Sequence, residues 1–226
     1  MDQLLLAAPP PSIRLREDEN DMLACCGVTL HPWNRYEVER QWLPGSLRCL
    51  IIGENPGDTD SQYFYTVPQS YDRDRVVVRR CLLHGLYDQK LIREATLEGF
   101  RDAGFLFDHA IRCPLSQAVV KAEHRAARRY ASSRVENPTH LLSLMSHATA
   151  VWVMGHIASN AVANVCGAFS KKQRRISKHP YPGELEADSR FFLSEYFTRW
   201  NQNDSVQICR AFAQFARVRG IFGDAV

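Results

Sequence analysis

The sequence has no long apolar run. No stretch approaches the ~20 apolar residues that a membrane-spanning helix needs. The apolar start at 1–8 has no basic residues before it and is too short for a secretory signal. The seven cysteines, at 25, 26, 49, 81, 113, 166 and 209, form no Cys-x-x-Cys pair and no His/Cys cluster at zinc spacing. That speaks against a zinc module or a disulfide framework and for reduced thiols packed in the core of a cytoplasmic protein. Charge of one sign is also scarce. Net charge is only +3, which excludes a basic tail or a histone-like chain. No Gly-x-Ser-x-Gly elbow, P-loop or Gly-x-Gly-x-x-Gly occurs, so the usual signals of α/β hydrolases and nucleotide-binding enzymes are missing. There is no internal repeat and no linker-like stretch.

What is present suits one globular domain. The 226 residues are 45% hydrophobic and 23% charged, enough for a proper core and an ordinary soluble surface. Residues 1–20, with Pro9-Pro10-Pro11 and mixed charges, read as a flexible arm, and 21–226 as a single domain. Short apolar, β-rich runs predict strands at 47–52, 105–111 and 149–154, with a fourth at 174–177. Helical spacing covers 22–43, 73–87, 91–103 (with Gly104 as its cap), 118–133, 140–147, 155–165, 190–201 and 206–218. Strands separated by helices imply an α/β fold. The expected form is a three-layer sandwich with a central, mostly parallel four-stranded sheet flanked by helices. In such folds sites gather at the carboxyl ends of the strands.

Three polar segments fall at or just past expected strand ends. Gly53-Glu54-Asn55-Pro56-Gly57 is either a plain strand-to-loop turn, for which Asn, Pro and Gly are standard, or a site where Asn55 or Glu54 orients a water. Asp108-His109-Ala110-Ile111-Arg112-Cys113-Pro114 is either a strand ending in a turn or a pocket floor where His109 reads a ligand. Ser177-Lys178-His179-Pro180-Tyr181-Pro182 holds a histidine between residues whose prolines fix φ, a preorganised donor rather than a loose surface turn. Lys171, Lys172, Arg174 and Arg175 lie just before this loop. A charge run is usually a solvated face, but here it abuts the expected site and fits phosphate contacts. A second basic stretch runs over 121–134. Tyr63, Phe64 and Tyr65 are either core residues or a stacking wall for a planar ring.

Together these segments resemble the uracil-DNA glycosylase superfamily, over about residues 47–202. Gly53 to Gly57 looks like the first family motif. Its Asn55 is similar to the mismatch-specific branch, and its Glu54 to the iron–sulfur and thermophilic branches. Val-Trp-Val-Met-Gly-His-Ile-Ala-Ser-Asn-Ala-Val-Ala at 151–163 resembles the family's strand–glycine–helix segment. His179 to Pro182 looks like the His-Pro-Ser-Pro loop. Arg190-Phe191-Phe192, then Phe197 and Asn201, is similar to the segment behind that loop in the classical enzymes.

The resemblance implies a monomeric enzyme that flips a nucleotide out of DNA and hydrolyses its glycosidic bond, leaving an abasic site. It implies catalytic roles for Asn55, Glu54 and His179. His179 would donate to the leaving base oxygen, and Asn55, with Glu54, would position the water. It implies base contacts from Gly53, His109 and a stacking Phe64 or Tyr65. DNA contacts fall to Lys171, Lys172, Arg174, Arg175 and Lys178, with Tyr181 or Leu185 as a wedge. No metal, iron–sulfur cluster or organic cofactor is expected, and no lyase activity.

Three departures bear on the substrate. His109 stands where the family usually has a uracil-reading Asn, Tyr181 replaces a small Ser, and the iron–sulfur cysteine pattern is missing. Histidine presents its donor and acceptor in different directions, unlike an amide. The expected substrate is therefore a non-canonical or modified base, hypoxanthine or a modified cytosine as in phage DNA, which suggests a defence role. Ordinary uracil repair and a catalytically silent DNA-binding module on the same fold stay open.

Overall fold

A computed structural model of the chain describes residues 32–54, 63–68, 70, 71, 74–110, 138–166, 190–195, 197 and 202–222. Within these, two short helices, α1 (Pro32–Arg35) and α2 (Val38–Trp42), lead into β1 (Cys49–Gly53). Then come α3 (Val77–Asp88), α4 (Leu97–Asp102) and β2 (Phe105–His109). The remaining elements are α5 (Pro138–His147), β3 (Ala150–Met154), α6 (His156–Cys166), β4 (Phe191–Ser194) and α7 (Gln202–Val218). The four strands form one sheet in the order β2-β1-β3-β4. Every pairing is parallel. The molecule is thus α/β, a four-stranded parallel sheet with helices around it.

The sequence explains this layout. Cys-Leu-Ile-Ile-Gly, Phe-Leu-Phe-Asp-His and Ala-Val-Trp-Val-Met are buried at every position. Strands without an exposed face need cover on both sides, as in a sheet with crossover helices. One cover is aromatic. Phe212 of α7 stacks on Trp152 at 4.4 Å and meets Phe105 and Phe192, while Phe100 of α4 stacks on Phe105 at 5.1 Å. Helix α3 packs along α7, and α5 packs on α6. Right-handed crossovers send the β1-to-β2 connection over one face and the β2-to-β3 and β3-to-β4 connections over the other. The chain therefore winds both ways from the middle of the sheet.

Two expectations need correcting. Helical spacing predicts a helix over 190–201, yet Phe191–Ser194 is a strand, paired with β3 from Val151↔Phe191 to Met154↔Ser194. A four-residue apolar run carries no period that separates strand from helix, and burial beside β3 decides it. The 91–103 segment is helical only over Leu97–Asp102. Lys90 turns back with φ 59, Leu91 and Ile92 tuck into the core, and Thr96 starts the helix by accepting from the Gly99 N–H at 3.0 Å. Gly104 ends it with φ +91, the left-handed stop expected there. The arm at 1–20, the strand at 174–177 and the helix at 118–133 lie outside the described residues.

Candidate functional site

In the order β2-β1-β3-β4, β1 is followed by the strand on its one side and β3 by the strand on the opposite side, although β1 and β3 are hydrogen-bonded neighbours. The crevice beyond their carboxyl ends is the place where a doubly wound sheet opens for a ligand. Glu54, directly after β1, is half-buried there. Gly155, directly after β3, is buried with φ +87. A Cβ on Gly155 would lie 2.5 Å from Glu54 Oε1 and 3.1 Å from Cδ. The carboxylate of β1 therefore lies across the end of β3, in the space a side chain at 155 would fill. Gly155 itself is held on two sides. Its N–H donates to the Ser194 carbonyl at 2.9 Å, and its carbonyl accepts from Ser159 N at 3.1 Å and Ser159 Oγ at 2.7 Å. His156, the first residue of α6, is exposed beside it, with Nε2 3.0 Å from Asn160 Nδ2.

On the other side of β1, His109 ends β2 in register with Gly53, and the Ala110 N–H donates to the Gly53 carbonyl at 2.9 Å. His109 is only 6% exposed. Tyr63 stacks over it at 5.9 Å and 28°, and Phe107 meets it edge-on at 5.0 Å. Tyr36 continues the stack behind Tyr63 at 5.1 Å. The Asp108 carboxylate accepts from the His109 backbone N–H at 2.8 Å.

The turn that carries Tyr63 is fastened twice. Tyr65 Oη donates to the Phe107 carbonyl at 2.9 Å and accepts from the Phe107 N–H at 2.7 Å. That satisfies the outward backbone groups of Phe107 on the free edge of β2. From the other side Arg79 of α3 donates to the carbonyls of Phe64 (2.7 Å), Tyr63 (3.3 Å) and Thr66. The Arg79 guanidinium is paired with Asp74 through Nε and Nη2, the latter at 2.7 Å.

No family model matches the chain, and neither does any curated protein or any solved structure. What the site can do therefore has to be argued from its own residues. It offers a carboxylate and an imidazole at adjoining strand ends, with the phenol ring of a neighbouring turn stacked on the imidazole, next to a buried aromatic core. Such a set can orient a water, hold a positive charge, and read the edge of a planar ring.

Of the residues singled out in the sequence, Gly53, Glu54 and His109 come together at the carboxyl end of the sheet. Phe64 and Tyr65 lie just behind them, in the core. Phe64 is stacked on Phe107 at 4.4 Å, and Tyr65 is spent on the β2 edge. Of the three adjacent rings 63–65, the one that stacks on His109 is Tyr63. Asn55, His179, Lys171, Lys172, Arg174, Arg175, Lys178, Tyr181 and Leu185 lie outside the described residues.

The sequence marks Gly155 only as the glycine of the strand–glycine–helix segment, with no role toward Glu54, and gives Arg79 none. Gly155 carries a faint signal, a glycine directly behind a buried strand. Arg79 carries no clearer one, since it is one of four arginines, with Arg73, Arg75 and Arg80, around the apolar run Val76-Val77-Val78. Cys49, Cys81 and Cys209 are buried free thiols. Burial pushes all three above the ordinary thiol range, so none is poised as a nucleophile. Among the described residues no group of three or more His, Cys, Asp or Glu could hold a metal ion, and no helix is long and apolar enough to cross a membrane.

Proposed function

We propose that the chain is a monofunctional DNA glycosylase with a uracil-DNA glycosylase-like three-layer fold, excising a non-canonical or modified base as a cytoplasmic monomer. The observation that supports this reading is the placing of Glu54 and His109 at neighbouring strand ends, on either side of Gly53. These are positions that the motif resemblance assigns to the sugar side and to the base edge. The comparisons add no support to it.

In this reading a flipped base enters the crevice and its edge meets His109. Tyr63 stands on His109 as the nearest planar wall, and Phe64 and Tyr65 form the packing behind it. Glu54 sits on the sugar side, where the breaking glycosidic bond leaves oxocarbenium-like positive charge. A carboxylate fixed there stabilises that charge without reorganising. Glu54 with Asn55 orients the attacking water, and His179 donates a hydrogen bond to the departing base. Lys171, Lys172, Arg174, Arg175 and Lys178 hold phosphates.

The test is direct. Duplex and single-stranded oligonucleotides carrying uracil, hypoxanthine or modified cytosines are incubated with the protein and then treated with alkali, which cuts at abasic sites. Cleavage at a modified base is expected, and Glu54→Gln lowers its rate by at least about 10²-fold. His109→Asn is expected to shift preference toward uracil, because the amide presents its donor and acceptor side by side. DNA binding with no cleavage on any substrate would make the chain a silent module and sink the enzyme reading.

A further inference from the structure

We infer that position 155 is a positioning residue for Glu54, and that its lack of a side chain sets the site's carboxylate. The inference rests on the glycosylase reading for its kinetic consequence, but its geometry stands without it. The Glu54 side chain leaves β1 across the sheet, over the end of β3. That space exists only because residue 155 has no Cβ. An added methyl would meet Oε1 at 2.5 Å, Cδ at 3.1 Å and Cγ at 3.2 Å, so it touches the whole end of the Glu54 side chain.

Which of the two would give way is set by their surroundings. Gly155 is pinned by its hydrogen bonds to Ser194 and Ser159, on a neighbouring strand and in the first turn of α6. Glu54 is half-buried and has rotatable bonds. A methyl at 155 therefore turns the carboxylate out rather than moving the backbone. Its φ of +87 is a second demand for glycine, independent of the first. The two demands are separable by experiment, because only one of them involves Glu54.

If Gly155 acts through Glu54, displacing the carboxylate removes an interaction made in the transition state and leaves DNA binding alone. Gly155→Ala is then expected to lower kcat on the excised substrate by about 10²-fold, with KM changed by less than roughly 3-fold. In the Glu54→Gln background the same change is expected to cost nothing further, because the charge it would misplace is already gone. Independent, multiplying losses would assign Gly155 a merely structural role and overturn the inference.

A second measurement needs no substrate. Gly155→Ala is expected to lower the melting temperature by roughly 6–12 °C in the wild-type background and by roughly 3 °C beside Glu54→Gly, where only the backbone strain remains. Equal drops in both backgrounds overturn the contact. If Gly155→Ala alone fails to fold, recovery of the fold in the double variant supports the inference, and failure of both overturns it. A wild-type protein that cleaves nothing sinks the glycosylase reading, while the melting cycle still decides position 155.

Discussion

Arg79 shows how one buried charge organises a loop. Its guanidinium faces the Asp74 carboxylate on one side and the carbonyls of Tyr63, Phe64 and Thr66 on the other. Asp74 also accepts from the Val76 N–H at 2.9 Å, at the start of α3. The pair is almost fully buried, so its attraction has to offset a large desolvation cost, and its net worth to stability is small. Breaking it is another matter. Arg79→Met removes the ion-pair partner of the buried Asp74 and takes one donor from each of three carbonyls, of which that of Tyr63 still accepts from the Thr66 N–H. A loss of about 3–5 kcal/mol is expected, read as a fall in the urea midpoint. Adding Asp74→Asn removes the stranded charge while keeping an acceptor for Val76, and is expected to restore part of the loss. A single variant within about 1 kcal/mol of wild type would show that the turn does not depend on Arg79. Arg79 also bears on the site, because Tyr63 faces His109 only while this turn holds its shape.

Between elements, α3 and α7 approach each other closely. A Cβ on Gly85 would lie 2.4 Å from Cys209 Sγ and 3.0 Å from Cys209 Cβ, so the two helices meet where one lacks a side chain. Gly85→Ala is expected to cost about 1–3 kcal/mol by overpacking, despite alanine's better helix propensity. Cys209→Ala in the same chain is expected to relieve about half of that. A stabilised Gly85→Ala in urea unfolding would mean that the helices separate freely. Such contacts explain what the sequence could and could not tell. The strands at 49–53, 105–109 and 150–154 were legible because a short, mainly apolar run bounded by turn residues has few other uses. The strand at 191–194 was not. Arg190-Phe191-Phe192-Leu193 fits a helix face equally well, and only the partner β3 decides. At the site, Glu54 and His109 were legible as polar residues at strand ends. Gly155 was not, because a glycine after a strand looks like any turn until the carboxylate of another strand is seen in its place. For the same reason Tyr63 was not separable from Phe64 and Tyr65: which of three adjacent rings turns toward His109 is set by the folded turn, whose carbonyls Arg79 holds from a helix farther along the chain.

For the molecule as a whole, stability is expected to fall on the alkaline side. Burial pushes the thiols of Cys49, Cys81 and Cys209 and the Tyr71 hydroxyl above their ordinary values. These groups stay neutral in the fold while the unfolded chain loses their protons. Their contribution is fully present below the unfolded values, about 8.5 for a thiol and about 10 for tyrosine. It is lost as pH rises beyond them, because the unfolded state then binds fewer protons than the native one. A fully buried thiol costs up to about 1.4 kcal/mol per pH unit in that range. Cys81 and Tyr71, less deeply buried, contribute less. Urea midpoints measured at pH 7.5 and pH 10 are expected to differ, with the lower midpoint at pH 10 and an unchanged slope. Cys49→Ala and Cys209→Ala are each expected to flatten that dependence even where they lower stability at pH 7.5, which separates the titration from the packing. A midpoint that does not move between the two pH values would mean that the thiols ionise as easily in the fold as outside it, and that the sheet and the α3–α7 contact admit water where the packing leaves no room for it. The buried thiols also set the working range for the glycosylase assay. Incubation belongs below about pH 8.5, where the site's supporting core keeps its full stability, and alkali belongs only after the reaction has been stopped.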